Sequence, residues 1–430
     1  MRYLIVGNCA AGVNAVEGIR RLDKDGEVTV ISNENSLAYC RCLITEYVMG
    51  TRRKEDILYR EKEFYEKNRV NLILGKEVVR VDVSKKRVIL QDNNSLSYDK
   101  LLIATGATPK SLGIKGEKKY GVFGFRTLSN AEEVIKIGEQ VGRVVVFGGG
   151  LIGLKAAYGL KKRGIDVDVM VKSSRVLSQV IDTEAAHIIG RWLQENGISI
   201  RTGIAPQEIL GDKEVEEVIL DNGERVRTKL VIIGKGVMCN TSLIKNSPIK
   251  THWGILTDDF LQTNIEGIFA AGDVAETRDI ATGNRTVNAL WTAACEQGKI
   301  AGMNMVKMIK RYPGSIGANS ADFFGLPLIS VGYVRVKEEG YEQLIKSNPK
   351  EFKYKKVVLK GNRLVGFTAI KDIENAGVYT ALIRKKVDVS SVKDILLEDY
   401  LDYPKVRELL EEKEGLRESI SMQGETIKIA

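Results

Sequence analysis

The chain has 430 residues, 43% of them hydrophobic and 28% charged, and a formal net charge of +9. This composition is ordinary for a soluble globular protein of two or three domains. No apolar run approaches the ~20 residues that span a bilayer, so membrane insertion is not expected. Five scattered cysteines and two histidines lack the spacing of a disulfide framework or a zinc site, so we expect no metal. The basic residues are dispersed, which favours solvated helix faces over a nucleic-acid surface.

The first predicted unit is a strand, a glycine-rich turn and a helix. Residues 2–7 are predicted as strand, and apolar residues recur at helical spacing from Val13 onward. Because this strand begins at the amino terminus, with no h-region before it, we expect a cytoplasmic location. A helix entered through glycines presents free N–H groups and a positive dipole end, which suits the pyrophosphate of a dinucleotide. We therefore predict phosphate binding for the turn Gly7-Asn8-Cys9-Ala10-Ala11-Gly12.

Two features of this unit depart from the usual pattern. Cys9 takes the position of the second glycine, where a small side chain still allows close approach of a phosphate. The acid that binds a dinucleotide ribose is expected about 20 residues past the turn. At that point the chain has Ser32, followed two positions later by Glu34. Either Glu34 reaches the ribose or Ser32 makes a weaker contact, and Glu34 is slightly favoured.

Residues 36–50 are predicted to form a turn and a helix that ends at Gly50, and they carry two cysteines. Cys42 would lie in the first turn of this helix, where the helix dipole and Arg41 would lower its pKa and favour the thiolate. Cys40, two residues away, would then resolve a mixed disulfide. The alternative is that both thiols only fill space.

A second βαβ unit spans about 143–171, after short strands at 78–83 and 86–90. The position of its ribose-binding acid is Val171, and Lys172-Ser173-Ser174-Arg175 follows. Basic residues there accommodate a 2′-phosphate, which slightly favours NADPH over NADH. Two such units in one chain suggest two dinucleotides. The second glycine turn is Gly148-Gly149-Gly150-Leu151-Ile152-Gly153.

Two further short motifs each follow a predicted strand, Ala104-Thr105-Gly106 and Ala271-Gly272-Asp273. A helical stretch at 289–310 comes next. Beyond about residue 319 the pattern changes to paired strands around Lys360-Gly361-Asn362-Arg363, with short helices predicted at 375–385 and 391–398.

With these four motifs in this order, the chain resembles the FAD-dependent pyridine-nucleotide:disulfide oxidoreductases. The segment around Tyr39-Cys40-Arg41-Cys42 is similar to two branches of this family. Its sequence pattern resembles that of the rubredoxin reductases and nitrite-reductase-like proteins, whereas Cys42 stands where NADH oxidases, NADH peroxidases and coenzyme A disulfide reductases have their redox cysteine. The resemblance implies an α/β fold with two Rossmann-like (three-layer ββα) dinucleotide-binding domains and a C-terminal α+β interface domain. The expected boundaries are an FAD-binding domain at 1–112 and 246–318, an NAD(P)-binding domain at 113–245 and a C-terminal domain at 319–430.

The resemblance also implies roles for individual residues. The first turn would hold FAD and the second NAD(P)H, and Asp273 would accept hydrogen bonds from the flavin ribityl chain. Lys155 stands where many relatives have a glutamate near the nicotinamide, so that acid role does not carry over and Lys155 is instead expected as a neighbour of the flavin–nicotinamide stack. Ala10 stands where peroxidase relatives have a histidine, which disfavours a peroxidase. Further cofactor contacts are expected from Arg41, Val78, Ala104, Thr105, Gly106, Gly236 and Gly272.

The predicted function is oxidation of NAD(P)H through FAD, with the electrons passed to a disulfide, polysulfide or oxygen, in the thiol case through Cys42. The alternative is a reductase of a protein electron carrier, such as rubredoxin or a partner redox subunit, without thiol chemistry. A non-enzymatic redox-sensing subunit is the least favoured class. In relatives the C-terminal domain builds a homodimer, and Phe323, Phe324 and Leu326, with the strands of 354–370, are candidates for an apolar surface there.

Overall fold

The structure, a computed structural model, describes residues 1–399, 401 and 404–411. They divide into two compact units. The larger unit contains Met1–Lys172, Ile198–Asp279 and Asn284–Ser315. The smaller contains Ser173–Gly197, Ile280–Gly283 and the described residues from Ile316 onward. The predicted boundaries of three domains stay predictions.

The strands, in chain order, are β1 (Arg2–Val6), β2 (Glu27–Ile31), β3 (Val70–Ile73), β4 (Val78–Asp82), β5 (Arg87–Leu90), β6 (Ser95–Ser97), β7 (Lys100–Ile103), β8 (Ala107–Pro109), β9 (Val122–Gly124), β10 (Arg143–Phe147), β11 (Asp166–Val171), β12 (Ser199–Thr202), β13 (Pro206–Leu210), β14 (Glu217–Leu220), β15 (Arg225–Arg227), β16 (Val231–Ile233), β17 (Val237–Cys239), β18 (Ile255–Leu256), β19 (Ile268–Ala270), β20 (Ala275–Arg278), β21 (Arg285–Thr286), β22 (Ala318–Phe323), β23 (Leu326–Gly332), β24 (Tyr341–Asn348), β25 (Lys353–Lys360) and β26 (Arg363–Ile370).

The α-helices are α1 (Ala10–Leu22), α2 (Ile44–Met49), α3 (Lys62–Lys67), α4 (Leu128–Val141), α5 (Leu151–Lys162), α6 (Thr183–Glu195), α7 (Trp291–Val306) and α8 (Ala376–Lys385). Residues 404–411 are also helical. Short 3-10 helices occur at Arg41–Leu43, Glu55–Ile57, Ser242–Ile244, Pro349–Glu351 and Ser390–Ile395. No helix in the described part of the chain combines the length and apolar character needed to cross a bilayer.

The first large sheet of the larger unit is parallel, in the order β19-β7-β1-β2-β3. Helices α1 and α7 pack closely because two glycines of α7 face the α1 backbone. A Cβ placed on Gly298 would lie 2.1 Å from the Ala11 carbonyl oxygen, and one on Gly302 would lie 2.2 Å from that of Ala15. The first glycine turn lies at the carboxyl end of β1 in this sheet.

The second large sheet is also parallel, in the order β12-β11-β10-β16-β9. It carries the second glycine turn at the carboxyl end of β10, which precedes α5. Parallel strands with crossover helices and phosphate turns at their carboxyl ends are the Rossmann arrangement. The predicted α/β fold with two such units is confirmed.

The smaller unit is built on an antiparallel sheet in the order β22-β23-β26-β25-β24, with α8 packed on β26. The rings of Phe367 and Tyr379 stack with their centroids 4.0 Å apart. Phe323 is fully buried and Leu326 is 3% exposed. The expectation that these two side chains supply an apolar outer surface is therefore wrong, because both are buried.

Candidate functional site

The first glycine turn closes so tightly that side chains are excluded at two of its positions. Gly7 has a φ of 125°, and a Cβ there would lie 2.1 Å from the carbonyl oxygen of Ala104. A Cβ on Gly12 would lie 1.8 Å from the carbonyl oxygen of Gly7. Helix α1 begins directly behind, with Cys9 as its N-cap and no side-chain cap bond. The first N–H groups of α1 therefore have no side-chain cap.

Asn8 in this turn is a polar residue whose role we did not predict from the sequence. Its side chain is buried, and its Oδ1 accepts a hydrogen bond of 2.8 Å from the hydroxyl of Tyr65. Its Nδ2 is buried without a hydrogen-bond partner among the described residues. A buried donor without a partner costs about 1–3 kcal/mol, so a missing acceptor is implied. Glycine cradle and free donor together fit the anionic pyrophosphate of a dinucleotide.

Glu34 and Arg41 form an ion pair beside this turn. The hydroxyl of Tyr39 donates to Glu34 Oε2 at 2.5 Å, and Arg41 Nη1 donates to the carbonyl of Arg126 at 2.8 Å. Burial raises the pKa of Tyr39, so its hydroxyl stays protonated and remains a donor. The contact of Glu34 with a ribose stays a prediction, and this cluster fixes where its carboxylate lies.

Asp273 pairs with Arg126, a residue that our sequence analysis missed. Nη2 of Arg126 lies 2.7 Å from Oδ2 of Asp273, and both side chains are mostly buried, at 18% and 16% exposed. The position that a Cβ on Gly106 would take is 3.7 Å from the same Nη2. Arg126 thus connects two motifs that the sequence separates widely, which no local spacing reveals.

The Ala104-Thr105-Gly106 motif is held by a reciprocal pair of hydrogen bonds. Thr105 Oγ1 donates to the carbonyl of Asn240 at 2.8 Å, and Asn240 Nδ2 donates to the carbonyl of Thr105 at 2.9 Å. Gly106 turns there with a φ of 68°. Of the other predicted cofactor contacts, Val78 is a buried residue at the start of β4, and Gly236 lies in the turn between β16 and β17.

The second glycine turn repeats the geometry of the first. A Cβ on Gly148 would lie 2.4 Å from the carbonyl oxygen of Gly234, and one on Gly153 would lie 2.0 Å from that of Gly148. Gly150 differs, because a Cβ there would meet no atom closer than 3.7 Å. It is the N-cap of α5 and provides no side-chain cap bond. Space is therefore left at the middle glycine, where a pyrophosphate is expected to approach.

The position expected for a second ribose-binding acid is apolar. Val171 ends β11 and is 3% exposed, and Lys172 behind it is exposed. Arg175 is partly buried, and its Nε has no hydrogen-bond partner among the described residues. No carboxylate stands at the end of this strand, as the sequence indicates.

Cys40 and Cys42 influence each other's pKa, and the sulfur with the lowered pKa is not the one that we expected. Cys42 is exposed and lies in the 3-10 helix Arg41–Leu43, while Cys40 is half-buried at its N-cap. A hydrogen bond from the Cys42 thiol lowers the pKa of Cys40 to about 6. The same hydrogen bond, together with desolvation, raises the pKa of Cys42. The predicted lowering of the Cys42 pKa is therefore wrong.

The cation that acts on Cys42 also differs from the expected one. Arg41 is turned away onto Glu34 and the carbonyl of Arg126. The positive charge of Lys155, on α5, is what lowers the pKa of Cys42 against the stronger opposing effects. Helices α2 and α5 are in contact here, since a Cβ on Gly159 would lie 3.2 Å from the Thr45 carbonyl oxygen. The structure thus brings Lys155 close to Cys42, although the two are far apart in the sequence.

Comparison with known proteins agrees with these motifs. The family described as pyridine nucleotide-disulphide oxidoreductase matches residues 1–298. The chain belongs to this family. The C-terminal domain of rubredoxin NAD+ reductase matches residues 318–387. The resemblance drawn from the motifs is confirmed, and membership supports FAD and NAD(P)H as cofactors.

Three similar proteins illustrate the range of this family. Nitrite reductase (NAD(P)H) of Bacillus subtilis is 32% identical over 397 residues, which cover 92% of this chain and 48% of that protein. The chain therefore spans about half the length of that relative. NADH oxidase of Methanocaldococcus jannaschii is 35% identical over 73% of this chain and 72% of its own length. The solved structure of an NAD-dependent persulfide reductase from A. fulgidus has a TM-score of 0.83 at 25% identity, covering 92% of this chain and 79% of that one.

Proposed function

We propose that the chain is an FAD-dependent oxidoreductase that takes a hydride from NAD(P)H and passes electrons to a disulfide, polysulfide or oxygen acceptor. The observation that carries the proposal is the pair of glycine cradles, one at the carboxyl end of each parallel sheet, in a chain whose exposed Cys42 lies within the field of Lys155. Bound FAD supplies the chemistry that accepts a hydride and releases its electrons to a second acceptor.

The residues of the chain have separate tasks in this proposal. The turn from Gly7 to Gly12, with the free Nδ2 of Asn8, would bind the pyrophosphate of FAD. Asp273 would accept from the ribityl hydroxyls while Arg126 holds its carboxylate in place. The turn from Gly148 to Gly153 would bind the pyrophosphate of the nicotinamide donor.

We further infer a modest preference for NADPH. The apolar Val171 leaves no carboxylate to bind a ribose 2′-hydroxyl, and the exposed Lys172 follows it with a positive charge. A carboxylate at this point would repel a 2′-phosphate, whereas a lysine attracts it. The ratio of kcat/KM for NADPH and NADH, measured in the wild type and in Lys172→Glu, tests this inference.

The second candidate function is the reduction of a small protein carrier without thiol chemistry. Two observations favour it: the match of residues 318–387 to the rubredoxin reductase C-terminal domain, and the net charge of +9, which would attract an acidic carrier. A redox-sensing role without turnover is the least supported. The predicted homodimer and cytoplasmic location stay predictions, and light scattering tests the first.

Anaerobic titration of the FAD protein with NADPH and with NADH separates these functions. Uptake of four electrons, with a long-wavelength absorbance band that disappears in Cys42→Ser, supports electron transfer through the thiols. Uptake of two electrons, with unchanged turnover in Cys42→Ser, supports the carrier function instead. If neither NADPH nor NADH reduced the flavin, the proposal would be overturned. Cys295→Ser, which removes a half-buried cysteine elsewhere in the chain, is the matched control.

A further inference from the structure

Hydrogen bonds fix the segment from Tyr39 to Leu43, and its two sulfurs differ in their exposure to solvent. The N–H of Cys40 donates to the carbonyl of Ile57 at 2.8 Å, and its carbonyl accepts from the N–H of Leu43 at 3.0 Å. Between the cysteines, the guanidinium of Arg41 is fixed by Glu34, the Tyr39 hydroxyl and a backbone carbonyl. The half-buried Cys40 and the exposed Cys42 are thus fixed on either side of an anchored residue.

Lys155 lies on α5, which contacts the helix α2 that follows this segment, and it brings a positive charge without a carboxylate partner among the described residues. Its side chain is half-buried on the first turns of α5. Arg41, in contrast, is neutralised by Glu34. A partly buried ammonium without a counter-ion favours a negatively charged group nearby.

We propose that Cys40 and Cys42 form a two-sulfur redox centre in which Cys40 resolves mixed disulfides formed on Cys42, and that Lys155 makes this centre selective for anionic disulfides and polysulfides. The inference rests on the proposed function only for the source of electrons. Cys40 of the same chain would then release the reduced acceptor from the mixed disulfide on Cys42, so no added small thiol is required.

The steps balance in atoms and electrons. In the first step a proton moves from the Cys42 thiol to the Cys40 thiolate, and the charge on the Cys42 sulfur is then stabilised by Lys155. The Cys42 thiolate attacks R–S–S–R′, which forms Cys42–S–S–R and releases R′–S⁻, and R′–S⁻ takes the proton from Cys40. The Cys40 thiolate then attacks the Cys42 sulfur, forming the Cys40–Cys42 disulfide and releasing R–S⁻.

Two electrons have now passed from the thiol pair to the acceptor. The pair returns to its dithiol form with the two electrons that NAD(P)H supplies. The sum is R–S–S–R′ + NAD(P)H + H⁺ → R–SH + R′–SH + NAD(P)⁺. A disulfide between cysteines only two residues apart closes a small, strained ring, and strained disulfides are readily reduced.

The test of Cys40 uses the FAD protein and the dianionic disulfide 5,5′-dithiobis(2-nitrobenzoate), without any nicotinamide. With the cysteines reduced and the flavin oxidised at the start, we expect the wild type to release two thionitrobenzoate anions from this centre and to hold an unlabelled Cys40–Cys42 disulfide, located by peptide mass spectrometry. In Cys40→Ser we expect one anion released and a stable adduct on Cys42. Cys295→Ser, which removes another half-buried cysteine, is expected to behave as the wild type. A stable adduct on Cys42 in the wild type would overturn the resolving role.

The test of Lys155 compares that dianionic disulfide with cystamine, a dicationic one. In Lys155→Met we expect the ratio of the two rate constants, anionic over cationic, to fall at least about tenfold. Lys162→Met, at the far end of α5, is the control. A ratio unchanged in Lys155→Met would overturn the selectivity, and equal flavin content in all variants shows that folding is intact. Reduction of the flavin by NAD(P)H is measured separately, so a failure of the proposed function is distinguishable.

Discussion

The carboxylate of Asp273 is held by the guanidinium of Arg126 across 2.7 Å, although 147 residues separate the two in the chain. Both groups are largely shielded from water, so removing one leaves the other charged and poorly solvated. We predict that Arg126→Met weakens FAD binding at least about tenfold, because Asp273 loses its fixed position. The FAD-to-protein ratio and the dissociation constant from flavin fluorescence measure the effect.

Two variants frame this prediction about FAD. Arg126→Lys should retain part of the affinity, since it keeps the charge and loses the planar donor pair. Arg53→Met removes an exposed arginine from its pair with Asp56 and should change nothing. Wild-type affinity in Arg126→Met would show that this ion pair is not part of the FAD site.

Gly150 offers a substitution that tests the second turn without disturbing the fold. An added Cβ would meet no protein atom within 3.7 Å, so Gly150→Ala should fold normally and keep its FAD. The methyl group would take space that a pyrophosphate needs. We predict that the KM for the nicotinamide donor rises about tenfold.

Substitutions at two other glycines serve as comparisons for Gly150→Ala. Gly377→Ala, in α8 with no atom within 4 Å of the new Cβ, should leave KM unchanged. Gly153→Ala should instead lose structure, because its Cβ would lie 2.0 Å from a backbone oxygen. A KM in Gly150→Ala equal to that of the wild type would exclude donor binding at this turn.

The smaller unit contains a buried ion pair, and we predict that breaking it lowers the free energy of unfolding. Lys356 is 2% exposed, and its Nζ lies 3.0 Å from Oδ2 of Asp182, which also accepts from the Tyr354 hydroxyl at 2.6 Å. Asp182→Asn would leave the lysine charged and unpaired, so we predict a loss of about 3 kcal/mol in the free energy of unfolding. Urea titration followed by the signal of the smaller unit measures it, with Asp182→Asn/Lys356→Met expected to recover most of the loss.

The pH dependence of this pair has a definite sign. The hydrogen bonds from Tyr354 and Lys356 lower the pKa of Asp182 against the opposing effect of burial. Its stabilisation is therefore complete above the ordinary aspartate pKa and is lost as the pH falls through the lowered value. Asp372→Asn, which breaks a more exposed pair with Lys353, should cost at most about 1 kcal/mol. Equal losses in both variants would contradict the prediction.

Features were predictable from the sequence where the residues that form them lie close together in the chain, and they were missed where those residues lie far apart. Both glycine turns were predictable because strand, turn and helix lie within one short segment. The end of α2 at Gly50, in a left-handed conformation, is equally local. Arg126 was missed because its importance depends on a partner from another motif, and the pairing of Lys155 with Cys42 depends on contact between α2 and α5. The burial of Phe323 was also missed, because an apolar pattern alone does not show which side chains are covered in the fold.

The lowered pKa of Cys40 leads to a prediction of how its thiol responds to pH. The hydrogen bond from Cys42 is the largest cause of the lowered pKa of Cys40, about 6, while burial and the charge of Glu46 act against it. We therefore expect Cys40 to lose its proton near pH 6. In Cys42→Ala this hydrogen bond is lost, so the pKa of Cys40 should return toward the ordinary value of 9.0.

Alkylation by iodoacetamide measures this change, since only the thiolate reacts. The rate at Cys40, followed by peptide mass spectrometry from pH 5 to pH 10, should show a midpoint near pH 6 in the wild type. In Cys42→Ala the midpoint should lie at least about two pH units higher. Cys295→Ala, which leaves the Cys40–Cys42 hydrogen bond intact, should keep the wild-type midpoint. If Cys42→Ala also titrated near pH 6, the charge on Cys40 would come from the backbone and not from its neighbouring thiol.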